Sequence, residues 1–179
     1  MFTNYKIVLI NYILMIIFIL FIAVIQNSLW PSVFGTHIPT YLWIPCLIYW
    51  ALYRKTGETV FMLYFITLNT TATSPLLTGY LLIFHSLALI VLFLFKRIYY
   101  TSWVFFSTAC AFSVLFFPIP LWFLSRIING TMYLHGFLPW IGGCIITWIL
   151  SFPILGLLKW IDHRTIGKSA GYKPLRRLV

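Results

Sequence analysis

The chain has 179 residues, of which 62% are hydrophobic and only 8% are charged, and its mean hydropathy is +1.00. Soluble domains carry about 25% charged residues, so this composition excludes a water-soluble globular fold and indicates an integral membrane protein. The net charge of +10 is assigned to membrane loops rather than to nucleic-acid binding, because lysine and arginine there set the orientation and contact anionic lipid head groups.

Long apolar runs follow one another along the whole chain, and their lack of strand-type alternation predicts a helical bundle rather than a β-barrel. The first run is too long for the core of a signal peptide, so it is interpreted as an uncleaved helix, with a loop predicted to open at Trp30-Pro31. We predict a single transmembrane domain over residues 1–165 and a basic cytoplasmic tail over 166–179. The six predicted spans lie at about 7–25, 38–53, 58–74, 76–95, 99–124 and 137–161.

The distribution of basic residues orients these spans. With the N-terminus in the cytoplasm, eleven of the twelve lysines and arginines fall on the cytoplasmic side, and only Arg126 lies outside. This asymmetry follows the positive-inside rule closely. The predicted fold is therefore an all-α, six-helix membrane bundle with both termini in the cytoplasm.

Acidic residues are scarce in this chain. It contains two, Glu58 and Asp162, which lie far apart in the sequence. A paired-carboxylate mechanism or a magnesium site would need both acids to meet, with nothing left to support them. Asp162 is interpreted as an ordinary residue at the end of a membrane helix. Glu58 is expected near a helix N-terminus, where a carboxylate interacts favourably with the helix dipole.

Other candidate ligands are equally sparse. Three histidines could approach one another on the outer side and hold a metal, but loop histidines are more commonly solvated. These are His37, His85 and His135. The three cysteines lie in apolar runs and share no metal-type spacing. We therefore predict no catalytic residue, no metal ligand and no cofactor.

A polar stretch, Thr67–Ser74, interrupts the third apolar segment just before Pro75. On a helix Thr67, Thr70, Thr71 and Ser74 form one stripe, and Asn69 and Thr73 form a second. Polar groups at membrane depth require partners. Two interpretations stay open: a helix–helix seam, and a cavity or docking face that opens to the outer side. The candidate partner-binding residues are Thr67, Asn69, Thr70, Thr71, Thr73, Ser74 and Thr78.

The order of short motifs between Val24 and Arg164 resembles that of the MreD family, a membrane component of the bacterial rod-shape machinery. Asn69 and Thr40 stand where that family usually has aspartate, and the third helix lacks the usual glycines. The motifs that carry the resemblance are Gln26-Asn27-Ser28, His37-Ile38-Pro39-Thr40, Thr73-Ser74-Pro75-Leu76 and Lys159-Trp160-Ile161-Asp162-His163-Arg164.

The resemblance implies a fold similar to the substrate-binding subunits of energy-coupling-factor vitamin transporters. It also implies a non-enzymatic scaffold of the bacterial inner membrane that binds MreC, and through it the MreB cytoskeleton and the peptidoglycan-synthesis enzymes of the elongasome. The polar patch over Thr67–Thr78 would then be the seam for the transmembrane helix of MreC. The alternative is a transporter subunit that binds a vitamin-like small molecule. Its outer cavity would be lined by Asn69, His37, His85 and Trp30.

Overall fold

The computed structural model describes residues 5–34, 41–72, 86, 90, 102–116, 119, 127 and 137–166. All regular structure in these residues is helical, which confirms the predicted all-α class. In chain order the elements are α1 (Tyr5–Val24), a π-helical turn (Ile25–Leu29), α2 (Trp30–Phe34), α3 (Trp43–Tyr53), α4 (Thr56–Thr71), α5 (Trp103–Phe116) and α6 (Phe137–Thr165).

Two of the described helices are long and apolar enough to cross a membrane. One runs over Lys6–Phe34 and has 29 residues, and the other runs over Pro139–Thr165 and has 27; an 18-residue stretch within each has a mean hydropathy of 3.1 and 2.1, respectively. A span needs about 20 apolar residues. Helices α3 and α5 are apolar but shorter, with 11 and 14 residues. Almost all of the predicted span 76–95 and the tail after residue 166 lie outside the described residues.

The loop predicted at Trp30-Pro31 is wrong, because the first helix continues through these residues to Phe34. Proline lacks a backbone N–H, and its ring clashes with the carbonyl four residues earlier in a regular α-helix. The chain widens into a π-helical turn just before Pro31, so that the N–H of Trp30 donates to the carbonyl of Ile25, five residues back. The wider turn lets the helix pass the proline without ending.

Helix α3 lies at the centre of the described bundle. Every residue from Trp43 to Ala51 is buried, and the helix packs against α1, α4, α5 and α6. A helix that is apolar around its whole circumference is stable only when other elements cover it on all sides. Trp50 and Tyr49 are its largest fully buried side chains.

The outer faces of the surrounding helices are apolar as well. Large hydrophobic side chains are exposed on α1, α4, α5 and α6, among them Phe21, Phe61, Phe112 and Ile145. Water-soluble monomers rarely expose contiguous apolar surface of this extent. The bundle therefore has a buried apolar centre and an exposed apolar perimeter.

Candidate functional site

The described part of the polar stretch forms the last two turns of α4. Thr67 is buried, and its hydroxyl donates to the carbonyl of Leu63 at 2.8 Å. The hydroxyl of Thr70 donates to Ile66 at 3.0 Å, and that of Thr71 donates to the carbonyl of Thr67 at 2.7 Å. Threonine commonly satisfies its hydroxyl in this way against the preceding helical turn. Each of these three hydroxyls thus has a partner inside its own helix.

Asn69 and Thr70 also line a small cleft at this end of the bundle, which we call the outer cleft because the predicted topology has it on the outer side. It encloses about 10 Å³, roughly the volume that one water molecule needs by this measure. Drug-sized ligands occupy cavities of about 300–1,000 Å³. The other lining residues are Ile19, Ala23, Gln26, Asn27 and Trp43.

The π-helical turn supplies the polar side of the outer cleft. Gln26 and Asn27 lie in this turn, and the Gln26 side-chain oxygen accepts a hydrogen bond from the backbone N–H of Leu42 at 2.8 Å. The turn is thereby tied to the start of α3. The described residues thus enclose a narrow cleft between α1, the π-helical turn, α3 and α4.

Several predicted site residues cannot be placed in this geometry. Thr73, Ser74 and Thr78 lie outside the described residues. The same is true of the three histidines at positions 37, 85 and 135. Within the described residues, no three His, Cys, Asp or Glu side chains are grouped to hold a metal ion.

A second polar site, at the opposite end of the bundle, is built around Asp162. We call it the basal cluster. The side chain of Asp162 is 0% exposed, although it lies in the last turn of α6. The other members of the cluster come from α1, α3, α4, α6 and the residue that follows α3. They are Asn11, Tyr49, Arg54, Glu58 and Thr165.

Both carboxylate oxygens of Asp162 accept hydrogen bonds. Oδ1 accepts from Nδ2 of Asn11 at 2.9 Å and from Nη2 of Arg54, while Oδ2 accepts from the hydroxyl of Tyr49. A buried carboxylate is stable only when it is paired and hydrogen-bonded in this way. The ion pair with Arg54 and the phenol of Tyr49 together stabilise the charge of Asp162.

Asn11 connects the remaining groups. Its Nδ2 donates to Asp162 and, at 2.6 Å, to the hydroxyl of Thr165, while its Oδ1 accepts from Nη2 of Arg54 at 2.6 Å. The amide therefore lies between a carboxylate and a guanidinium: its NH2 group donates to the carboxylate, and its oxygen accepts from the guanidinium. The start of α1 is thus joined to the ends of α3 and α6.

Arg54 also reaches the only other acid of the chain. Its Nη1 lies 3.6 Å from Oε2 of Glu58, four residues later in the first turn of α4. The guanidinium carbon is 5.0 Å from the centre of the Trp50 ring. One arginine therefore contacts both carboxylates of the protein, and the guanidinium and the two carboxylates together carry a net charge of −1.

The interpretation of Asp162 as an ordinary residue at a helix end is wrong. Asp162 is buried, and Glu58, far away in sequence, meets the same arginine. One signal in the sequence points to this burial: Ser151, Leu155, Leu158 and Asp162 follow one another at helical spacing on the buried face of α6. The position of Arg54 beside that face has no comparable signal, since it depends on how α3 packs.

Helices α5 and α6 meet along a seam of small polar residues that the sequence analysis did not identify. Ser107 and Cys110 on α5, and Thr147 and Ser151 on α6, are fully buried. Ser151 donates to the carbonyl of Trp148 at 2.7 Å. Small side chains let helices approach closely within a membrane, and α5 and α6 pack against each other.

Comparisons with known proteins do not add a relative to these observations. No protein-family model, no curated protein and no solved structure matches this chain. The functional interpretation therefore depends on the residues themselves and on the motif order given above.

Proposed function

We propose that this protein is a non-enzymatic, multi-pass scaffold of the bacterial inner membrane, similar to MreD. In this proposal it binds an MreC-like protein within the cell-wall elongation complex. It thereby helps to couple the MreB cytoskeleton to peptidoglycan synthesis. The observation that carries the proposal is the packing of the described residues, whose polar groups bond to one another at the base and line a water-sized cleft at the other end.

Membrane placement is supported by two long apolar helices and by the exposed apolar faces around them. The proposed topology has six spans, with both termini in the cytoplasm. The basal cluster is compatible with this topology, because the start of α1 meets the end of α6, as expected if both termini lie on the same side of the membrane. Helices α3 and α4 also join at this end, through Arg54 and Glu58.

Within the part of the chain that the structure describes, the outer cleft favours scaffolding over the transport of a vitamin-like molecule. A vitamin-sized ligand needs a cavity many times larger than about 10 Å³. Direct packing against the transmembrane helix of a partner does not need such a cavity. Small and polar side chains support helix association in membranes. Asn69 and Thr70, which line the outer cleft and form its rim on α4, supply such groups.

The exposed face of α4 extends this rim along the bundle. Phe61, Tyr64 and Leu68 follow one another at helical spacing and are all exposed. A transmembrane helix of the MreC-like partner would pack along this stripe, with the amide of Asn69 at its outer end. The proposed contact thus combines apolar packing with one polar anchor.

The proposal is tested by changing Asn69 and Thr71 together to leucine and measuring co-purification with the MreC-like partner from membranes. We expect the recovered partner to fall severalfold while membrane insertion is unchanged. Ser113→Leu is the matched control, because Ser113 is half-buried on α5 and, like Thr71, donates to its own helix, at 2.8 Å from the carbonyl of Ala109. Equal recovery from the double variant and the control would reject the seam, and a co-purified small molecule found by mass spectrometry would favour the transporter.

A further inference from the structure

The two acids of the chain are both engaged by one cation. The sequence contains twelve lysines and arginines but only two acidic residues, and both carboxylates contact Arg54. Within the described residues, the other basic side chains at this end of the bundle form no ion pair. These are Lys6, Lys55, Lys159 and Arg164. Their charges are available to an anion from outside the chain.

Lys159 lies between two aromatic rings. Its Nζ lies 4.9 Å from the centre of the Trp103 ring and 5.1 Å from the centre of the Tyr53 ring. Two aromatic faces therefore fix the position of the ammonium group. The three residues come from α6, α5 and α3, so the position of this charge is set by the packing of the bundle.

Gly156 creates the space for this arrangement. A Cβ atom at position 156 would lie 3.7 Å from the Trp103 ring, so the indole rests directly on the backbone of α6, three residues before Lys159. The ring is not enclosed, because Trp103 is 47% exposed. The lysine and its aromatic support thus face the surroundings of the bundle.

A second pair with the same chemistry lies in the last turns of α6. The guanidinium carbon of Arg164 is 5.6 Å from the centre of the Trp160 ring, and both side chains are exposed. Cations beside aromatic rings at the end of an apolar helix are typical of the head-group level of a membrane. Basic side chains between helices at that level bind anionic lipid head groups.

We propose that Lys159, supported by Trp103 and Tyr53, binds the phosphodiester head group of an anionic phospholipid, with Arg164 as a second contact. The ammonium group pairs with the phosphate, and the exposed indole packs against the upper part of the acyl chains. The excess of unpaired positive charge selects an anionic lipid over a zwitterionic one. This inference rests on the proposed membrane placement and does not require the MreC-like partner.

The test is native mass spectrometry of the purified full-length protein in detergent. The protein is titrated with phosphatidylglycerol and, separately, with phosphatidylcholine that carries the same acyl chains. We expect phosphatidylglycerol to bind at least about fivefold more tightly, the effect of one lysine close to a charged lipid surface. Lys159→Gln should remove that preference, and Lys159→Arg should retain it. Lys6→Gln is the matched control, since Lys6 is an exposed cation without an aromatic partner among the described residues.

Equal binding of the two lipids by the unaltered protein would overturn the proposal, whether or not any variant folds. An unchanged preference in Lys159→Gln, with a melting temperature like that of the unaltered protein, would also overturn it. Displacement of the lipid by millimolar inorganic phosphate would indicate a site for free phosphate, and it would also overturn the proposal. Co-purification of the MreC-like partner with Lys159→Gln is measured in parallel. Loss of lipid preference with normal recovery of the partner separates this proposal from the scaffold function.

Discussion

Arg54 and Asp162 form a buried ion pair between the residue after α3 and the last turn of α6, 108 positions apart in the chain. The Arg54 side chain is 10% exposed and that of Asp162 is 0% exposed. Asn11 bridges the same two groups from α1. The ion pair and the Asn11 amide thus join α1, α3 and α6 at one end of the bundle.

Removal of either member of this pair should strongly destabilise the bundle. Arg54→Gln and Asp162→Asn are each expected to lower the free energy of unfolding by about 3–5 kcal/mol, because a buried charge is left without its partner. Replacement of both with Met and Leu should recover much of this loss, since no fully buried charge is then left unpaired and Glu58, which also loses Arg54, is 26% exposed. Unfolding in mixed micelles, followed by circular dichroism, gives the four values.

Glu58→Gln is the internal control for this series. The side chain of Glu58 is 26% exposed and its carboxylate lies 3.6 Å from Arg54, so its pair should contribute at most about 1 kcal/mol. A loss for Glu58→Gln as large as that for Asp162→Asn would contradict the central role given to the Arg54–Asp162 contact.

Two hydroxyls at the seam between α5 and α6 should be dispensable. Within the described residues, the buried hydroxyls of Ser107 and Thr147 have no hydrogen-bond partner. Ser107→Ala and Thr147→Val should therefore leave stability unchanged or raise it by about 1 kcal/mol, because an unsatisfied polar group is replaced by an apolar one of similar shape. Ser151→Ala removes a hydrogen bond of 2.7 Å and serves as the control that loses stability. A loss for Thr147→Val that equals the loss for Ser151→Ala would show that the Thr147 hydroxyl has a partner.

Gly156 should tolerate alanine but not leucine. An added Cβ makes an ordinary van der Waals contact of 3.7 Å with Trp103, and alanine favours a helix over glycine by up to about 1 kcal/mol. The longer leucine side chain overlaps with the indole and should lower the melting temperature. Gly57→Leu is the matched control, because a Cβ there meets no atom within 4 Å. Equal melting temperatures for the two leucine variants would contradict the close approach of Trp103 to α6.

The proposed topology predicts where reporter fusions are active. A reporter that works only outside the cytoplasm should be active after residue 33 or 131 and inactive after 55, 98 or 179, because basic residues retain their loops in the cytoplasm. The assay is alkaline phosphatase activity in cells, with expression measured by immunoblotting. The reverse pattern would reject the orientation, and activity at 98 alone would reject the proposed number of spans.

Local features of the fold were accessible from the sequence, whereas long-range contacts were not. The helical class and the position of Glu58 in the first turn of α4 follow from nearby residues, and both are observed. The passage of the first helix through Pro31 was missed, because a π-helical turn depends on backbone adjustments that the residue pattern does not specify. The roles of the polar stretch on α4 stay a prediction, since part of it lies outside the described residues.

The sequence by itself determined the all-helical class and the two helices that are long and apolar enough to cross a membrane, because both properties depend on residues that are close together in the chain. Only the tertiary structure decided that Arg54 is the partner of the buried Asp162. The physical reason is that a charge in a low-dielectric interior depends on groups within a few ångströms of it. The packing of α1, α3 and α6 brings Asn11, Arg54 and Asp162 together from distant positions in the sequence.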